Sequence, residues 1–154
     1  MKTPNPSSGL FSDLIETLEQ KAKTLEAFSA LTNSLRDRLI AQEWSGIEGL
    51  LKQRQDLIFA VDQIDVRIQV QRAKQLPDAE ELSDAQKKRI LDLLNAISEI
   101  SEKARTVDQE CVGLMADWRE QTRGRLSTMR GSFKAVHGYN QRPIRPPKFL
   151  DVRR

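Results

Sequence analysis

Few side chains in this sequence could do chemistry, and their surroundings limit what kind. There is one histidine, His137, at a junction beside Gly138, and one cysteine, Cys111. A single imidazole builds neither a His-based metal cluster nor a catalytic triad, so His137 reads as a solvated loop residue. Cys111 falls on a helical apolar stripe, which makes it a small buried hydrophobe rather than a nucleophile, and a lone thiol excludes an internal disulfide. Asp62 and Asp65 are three apart and share a helical face. Paired carboxylates could serve acid–base work, but with Arg67 and Arg72 nearby a solvated ionic face is the simpler reading. Gly46 and Gly49 lack the further glycines and the preceding strand of a phosphate-binding loop. No cofactor, no metal and no enzymatic activity are expected.

The larger signal is charge. Net charge is +3, yet residues 1–118 hold 15 Lys/Arg against 20 Asp/Glu, a balance of −5, while residues 119–154 hold 10 against 2, a balance of +8. Such asymmetry speaks to partners and association rates. Arg119, Arg123, Arg125, Arg130, Lys134, Arg142, Arg145, Lys148, Arg153 and Arg154 make up the basic end. They could track nucleic-acid phosphates with a steep salt dependence. Only Phe133, Tyr139 and Phe149 are there to stack, and no helix-turn-helix or zinc module accompanies them. A membrane surface is a weaker fit, because the apolar row of residues 119–136 has four members. Those four, Leu126, Met129, Phe133 and Val136, stand at i, i+3, i+7 and i+10, the anchor spacing of a helix that packs on another helix or a groove. Met and Phe adapt to variable partner surfaces, and the surrounding cations would steer an acidic partner. The competing possibility is that the four simply extend the intramolecular core.

These groups must be positioned by helices. Charged residues make up 31% and aromatic ones 5% of the 154 residues, a mixture suited to long, surface-rich helices in one domain. Ile90, Leu93, Ile97, Ile100, Ala104, Val107, Cys111, Leu114 and Trp118 keep alternating steps of three and four, the stripe of an amphipathic helix that needs a partner face. An earlier helix over about 10–41 carries the seam Phe11, Leu14, Leu18, Lys21, Leu25, Phe28, Thr32, Leu35 and Leu39. A second over about 44–72 carries one row of Trp44, Ile47, Leu51, Ile58, Val61 and Ile68, with Leu50, Leu57 and Ile64 beside it. Gly46 and Gly49 mark either a close backbone approach or a frayed start. Leu76-Pro77-Asp78 stops this helix, Ser83 or Asp84 is placed to cap the next, and the third helix runs over about 85–136. After Trp118 its seam shifts to Leu126 and Phe133, so the helix twists to a new face or leaves the bundle.

Residues 1–9 are expected to be a disordered leader without a secretory signal. Residues 137–154, with Pro143, Pro146 and Pro147, are expected to be an extended basic tail. No apolar run is long enough to span a membrane. The predicted fold is all-α, an antiparallel bundle or coiled-coil-like hairpin of three long helices with an extended Pro-rich basic tail. Its long seams also admit a homodimer.

The stretch Trp44-Ser45-Gly46-Ile47-Glu48-Gly49-Leu50-Leu51-Lys52-Gln53-Arg54-Gln55-Asp56-Leu57-Ile58, between a Leu-rich first helix and a long third one, resembles the FlgN-type flagellar export chaperones and the related FliT-like group. Their Leu-Leu-x-x-Arg/Lys-Gln-x-Leu run is followed by an acidic residue, here Asp62 or Asp65. Tyr139-Asn140 and the later Phe149-Leu150-Asp151 resemble the tail of many members, and the likeness spans Phe11 to Asp151. It implies a cytoplasmic, non-catalytic chaperone. Such a chaperone binds the C-terminal helical segments of filament-type substrates, the flagellar hook–filament junction proteins or the filament cap protein. It keeps them from polymerising early and delivers them to the export apparatus. Leu126, Met129, Phe133 and Val136, with Tyr139 and Phe149, are the expected partner-binding residues. The alternative is a structural coiled-coil or nucleic-acid-associated protein acting through its basic C-terminal arm.

Overall fold

The computed structural model of the chain describes residues 6–74 and 82–140, with side chains described over 9–74 and 82–138. Within them there are three helices and no strand: α1 over Pro6–Ala41, α2 over Ile47–Ala73 and α3 over Asp84–Asn140. The chain divides into two compact units, Met1–Met115 and Ala116–Arg154.

α1 begins at Pro6, earlier than the expected start near Leu10, so residues 6–9 are helical rather than part of a leader. Proline suits a first helical position, where its missing N–H would have had no partner. α1 ends without a glycine. The Gln42 N–H donates to the Leu39 carbonyl at 3.2 Å and the Glu43 N–H to the Arg38 carbonyl at 3.0 Å, with Gln42 at a left-handed φ of 56°. This is a Schellman turn, and it satisfies carbonyls the helix end would otherwise orphan. Arg38 Nη1 then donates to the Ser45 carbonyl at 2.5 Å. Gly46 follows at a φ of 80°, and a Cβ there would stand 2.8 Å from Arg38 Nη1. What Gly46 meets is the tip of the Arg38 side chain and not a neighbouring backbone, so its requirement is the left-handed φ, whereas Gly49 has open space around it. α2 therefore starts at Ile47 rather than Trp44.

α3 starts with a reciprocal capping box. Ser83 Oγ accepts from the Gln86 N–H at 3.2 Å while Gln86 Oε1 accepts from the Ser83 N–H at 3.1 Å, which satisfies two donors of the exposed helix start. The helix runs unbroken past Val136 to Asn140, so residues 137–140 are helical and His137 is not in a loop. Leu76-Pro77-Asp78 and the Pro-rich segment from Pro143 onward lie outside the described residues.

In the first unit, all three helices share two core clusters. Leu14 and Leu18 of α1 meet Leu93 of α3, with Ile68 of α2 packed against them. Leu35 and Leu39 of α1 meet Ile47 of α2 and Cys111 of α3, flanked by Leu50, Val107 and Leu114. Early α1 with late α2, and late α1 with early α2, make these two antiparallel; α3 of this unit runs parallel to α1. The predicted α3 seam points inward through Leu93, Ala104 and Cys111, but Trp118 is 43% exposed.

α2 turns differently from the predicted rows. Ile64 is 1% exposed, whereas Trp44, Leu51 and Ile58 are 37–40% exposed. The inward seam is the second row together with Ile47, Val61 and Ile68, and polar Arg54 and Gln71 complete it. Gln71 Nε2 donates to Thr17 Oγ1 at 3.0 Å. Arg54 pairs with Asp108 of α3, and its guanidinium carbon lies 5.0 Å from the Phe28 ring centroid on α1. One cation thus joins all three helices at the waist between the two clusters. Beside it Leu25 and Phe28 line an α1–α2 groove of about 100 Å³ with Ile58, Val61 and Asp62. On the other side they line an α1–α3 groove of about 280 Å³ with Ala104 and Arg105.

Candidate functional site

Groups that suggested chemistry in the sequence take structural roles here. Cys111 is 2% exposed and its thiol donates to the Thr32 carbonyl at 3.8 Å. Burial pushes this thiol above its ordinary pKa, with smaller opposing influences from Arg54 and Arg36; a reactive cysteine needs the reverse. Asp65 pairs with Lys21 of α1 at 2.6 Å. Arg67 donates to Gln20 at 3.1 Å rather than meeting either aspartate. The two carboxylates therefore serve an interhelical ion pair and a groove rim. Among the described residues no group of His, Cys, Asp or Glu is placed to hold a metal ion.

The remaining candidate is on α3. Leu126, Met129, Phe133 and Val136 are 52%, 61%, 72% and 59% exposed, so they do not extend the core. At 100° per residue they form one stripe, with Leu126 and Phe133 on its one side and Met129 and Val136 on its other. The hydroxyls of the same stretch are occupied locally: Thr128 Oγ1 donates to the Gly124 carbonyl at 3.0 Å and Ser132 Oγ to the Thr128 carbonyl at 3.1 Å. Gly124 and Gly131 have open space where a Cβ would be. Next to Leu126, a concave surface of about 550 Å³ is lined by Arg123, Ser127, Arg130, Gly131 and Lys134. Every ion pair among the described residues falls between Glu19 and Glu110, so these cations have no carboxylate partner there. Tyr139 falls within α3, near its end. Phe149 lies outside the described residues.

Sequence reasoning missed a second apolar surface. Phe59, Val66 and Val70 of α2 are 63%, 53% and 51% exposed, beside Leu51 and Ile58. Their spacing of seven and then four is visible in the sequence, but on a helix that is apolar around more than half its circumference it does not distinguish an outward face from an inward one. Arg54 was also overlooked as a core residue, since a cation within a helical motif reads as solvated until its burial is seen.

The described residues thus define an all-α protein of three long helices, with a shared core in the first unit and a solvent-facing apolar row beside unpaired cations in the second. No helix among them is long and apolar enough to cross a membrane. Residues 1–142 match the family described as FlgN protein, and the chain belongs to that family, whose members are flagellar export chaperones rather than enzymes. No curated protein and no solved structure matches the chain.

Proposed function

We propose that this chain is a cytoplasmic chaperone of flagellar type III export that binds the C-terminal amphipathic helix of filament-type substrates, the hook–filament junction proteins, and prevents their premature assembly. The observation that carries this reading is the exposure of Leu126, Met129, Phe133 and Val136 at helical anchor spacing. An export substrate's terminal helix exposes its own apolar stripe before assembly, and an apolar row on a second helix covers it. Affinity comes from the apolar area removed from water, about 25 cal/mol per Å² before the entropic costs of association. Family membership supports the flagellar setting, and delivery to the export apparatus follows from it. Tyr139 and Phe149 are included as partner-binding residues on the family resemblance of the tail.

Titration calorimetry with the C-terminal helices of the junction proteins and of the filament cap protein tests this. The full chain is expected to bind a junction helix, and Phe133→Asp to abolish binding with helicity by circular dichroism unchanged. Preference for the cap-protein helix would replace the substrate. Binding that survives Phe133→Asp would move the site elsewhere.

A further inference from the structure

Residues 121–138 contain no Asp or Glu. Around α3, at 100° per residue, Arg119, Arg123, Arg130, Lys134 and His137 fall within a strip about 60° wide, adjoining the Leu126–Phe133 edge of the apolar row. No carboxylate among the described residues lies within ion-pairing distance of Arg123, Arg130 or Lys134, and these three share the concave surface next to Leu126. On the far side of the row Arg125 is the one charged side chain over 121–138. The row is thus charged unequally on its two flanks, with three or more cations on one and one on the other.

We infer that this surface selects, among amphipathic helices, one that carries acidic side chains along a single flank of its apolar stripe, and that Arg123, Arg130 and Lys134 fix its direction by pairing with them. The inference rests on the proposed helix-binding function and specifies its partner. A helix in contact along the row can set its carboxylates against the cationic strip in one direction only, because reversing it carries them to the nearly uncharged flank. A second copy of this chain is a poor occupant. Laid antiparallel on the same row it sets cation against cation, and laid parallel it offers no carboxylate to either flank. Nucleic acid would meet the cations but leave Met129 and Val136 uncovered. The exposed strip on α2 lacks a comparable charge bias and designates no occupant.

The test uses the full chain and two designed helical peptides with the same Leu row, one bearing Glu along a single flank and the other Lys at those positions. The Glu peptide is expected to bind at least about tenfold more tightly at low salt, the size that a few solvent-exposed ion pairs supply together. The advantage should shrink as salt shortens the reach of charge, and Arg123→Glu/Arg130→Glu/Lys134→Glu should invert the preference with helicity intact. Equal binding of both peptides, or an unchanged preference in the triple variant, overturns the inference. So does displacement of the Glu peptide by single-stranded DNA or by phosphatidylserine vesicles at lower concentration than by the unlabelled peptide. Failure here is separable from failure of the function itself. Junction helices that bind the triple variant as tightly as the original chain, yet lose binding with Phe133→Asp, leave the chaperone standing and remove only the charge-directed register.

Discussion

Cys111 is the residue whose chemical identity and structural role diverge most. Its thiol is buried between α3 and the Thr32 carbonyl of α1, in surroundings that raise its pKa. Folding therefore favours the protonated form. The stabilisation is fully present below the ordinary thiol pKa of about 8.5 and is lost as pH rises through the folded value, because the unfolded chain ionises first. Unfolding free energy from denaturant titrations should fall over that alkaline range, and Cys111→Ala should flatten the decline. The same burial predicts that iodoacetamide alkylates the thiol only in the unfolded protein. Arg54 makes a related case. Its side chain is 12% exposed and its Nε has no hydrogen-bond partner, so Asp108 is its principal compensation. Asp108→Ala should cost about 1–3 kcal/mol by leaving a desolvated guanidinium unpaired, and Arg54→Met/Asp108→Leu should be less damaging, as replacement of a whole buried pair commonly is. A double-variant cycle by denaturant unfolding measures both.

At the scale of elements, α3 contains two stretches of the same helix that differ in burial. Leu35, opposite the first stretch, is 0% exposed, whereas Leu126 in the second is 52% exposed. Leu35→Ala is expected to cost about 2–5 kcal/mol of stability through lost burial and a residual cavity. Leu126→Ala should stay within about 0.5 kcal/mol while weakening partner binding. The change of stripe after Trp118 was legible in the sequence, since a helix cannot keep one face buried when its seam positions become Gln121, Arg125 and Thr128. The orientation of α2 was not legible. Its apolar residues cover more than half the helix circumference, so periodicity alone admits several inward faces. The one adopted buries Ile47 and Ile64 and brings Arg54 to Asp108 and Gln71 to Thr17, contacts between residues far apart in the chain. The turn between α1 and α2 was equally hidden, because Gln42 takes a left-handed conformation that its residue type does not advertise.

At the scale of the whole molecule, every fully buried side chain among the described residues lies between Phe11 and Cys111, within the first unit. A chain ending at Trp118 should therefore keep a cooperative thermal transition within a few degrees of the full chain, and calorimetric scanning checks this. Loss of that transition would make residues beyond Trp118 part of the fold. The sequence by itself determined the all-α class, three helices of nearly the observed extent, the α3 seam and the apolar row at Leu126, Met129, Phe133 and Val136, because a 3.6-residue period with few breakers leaves little choice locally. The flagellar family was legible too, in the Leu50–Leu57 run and the helices around it. Tertiary structure alone decided which face of α2 is inside, that Arg54 joins three helices at the waist, and that among the described residues nothing covers the α3 row or pairs with the cations beside it. Periodicity states that a face is apolar; whether another helix covers that face depends on packing between segments distant in sequence, which no local pattern encodes.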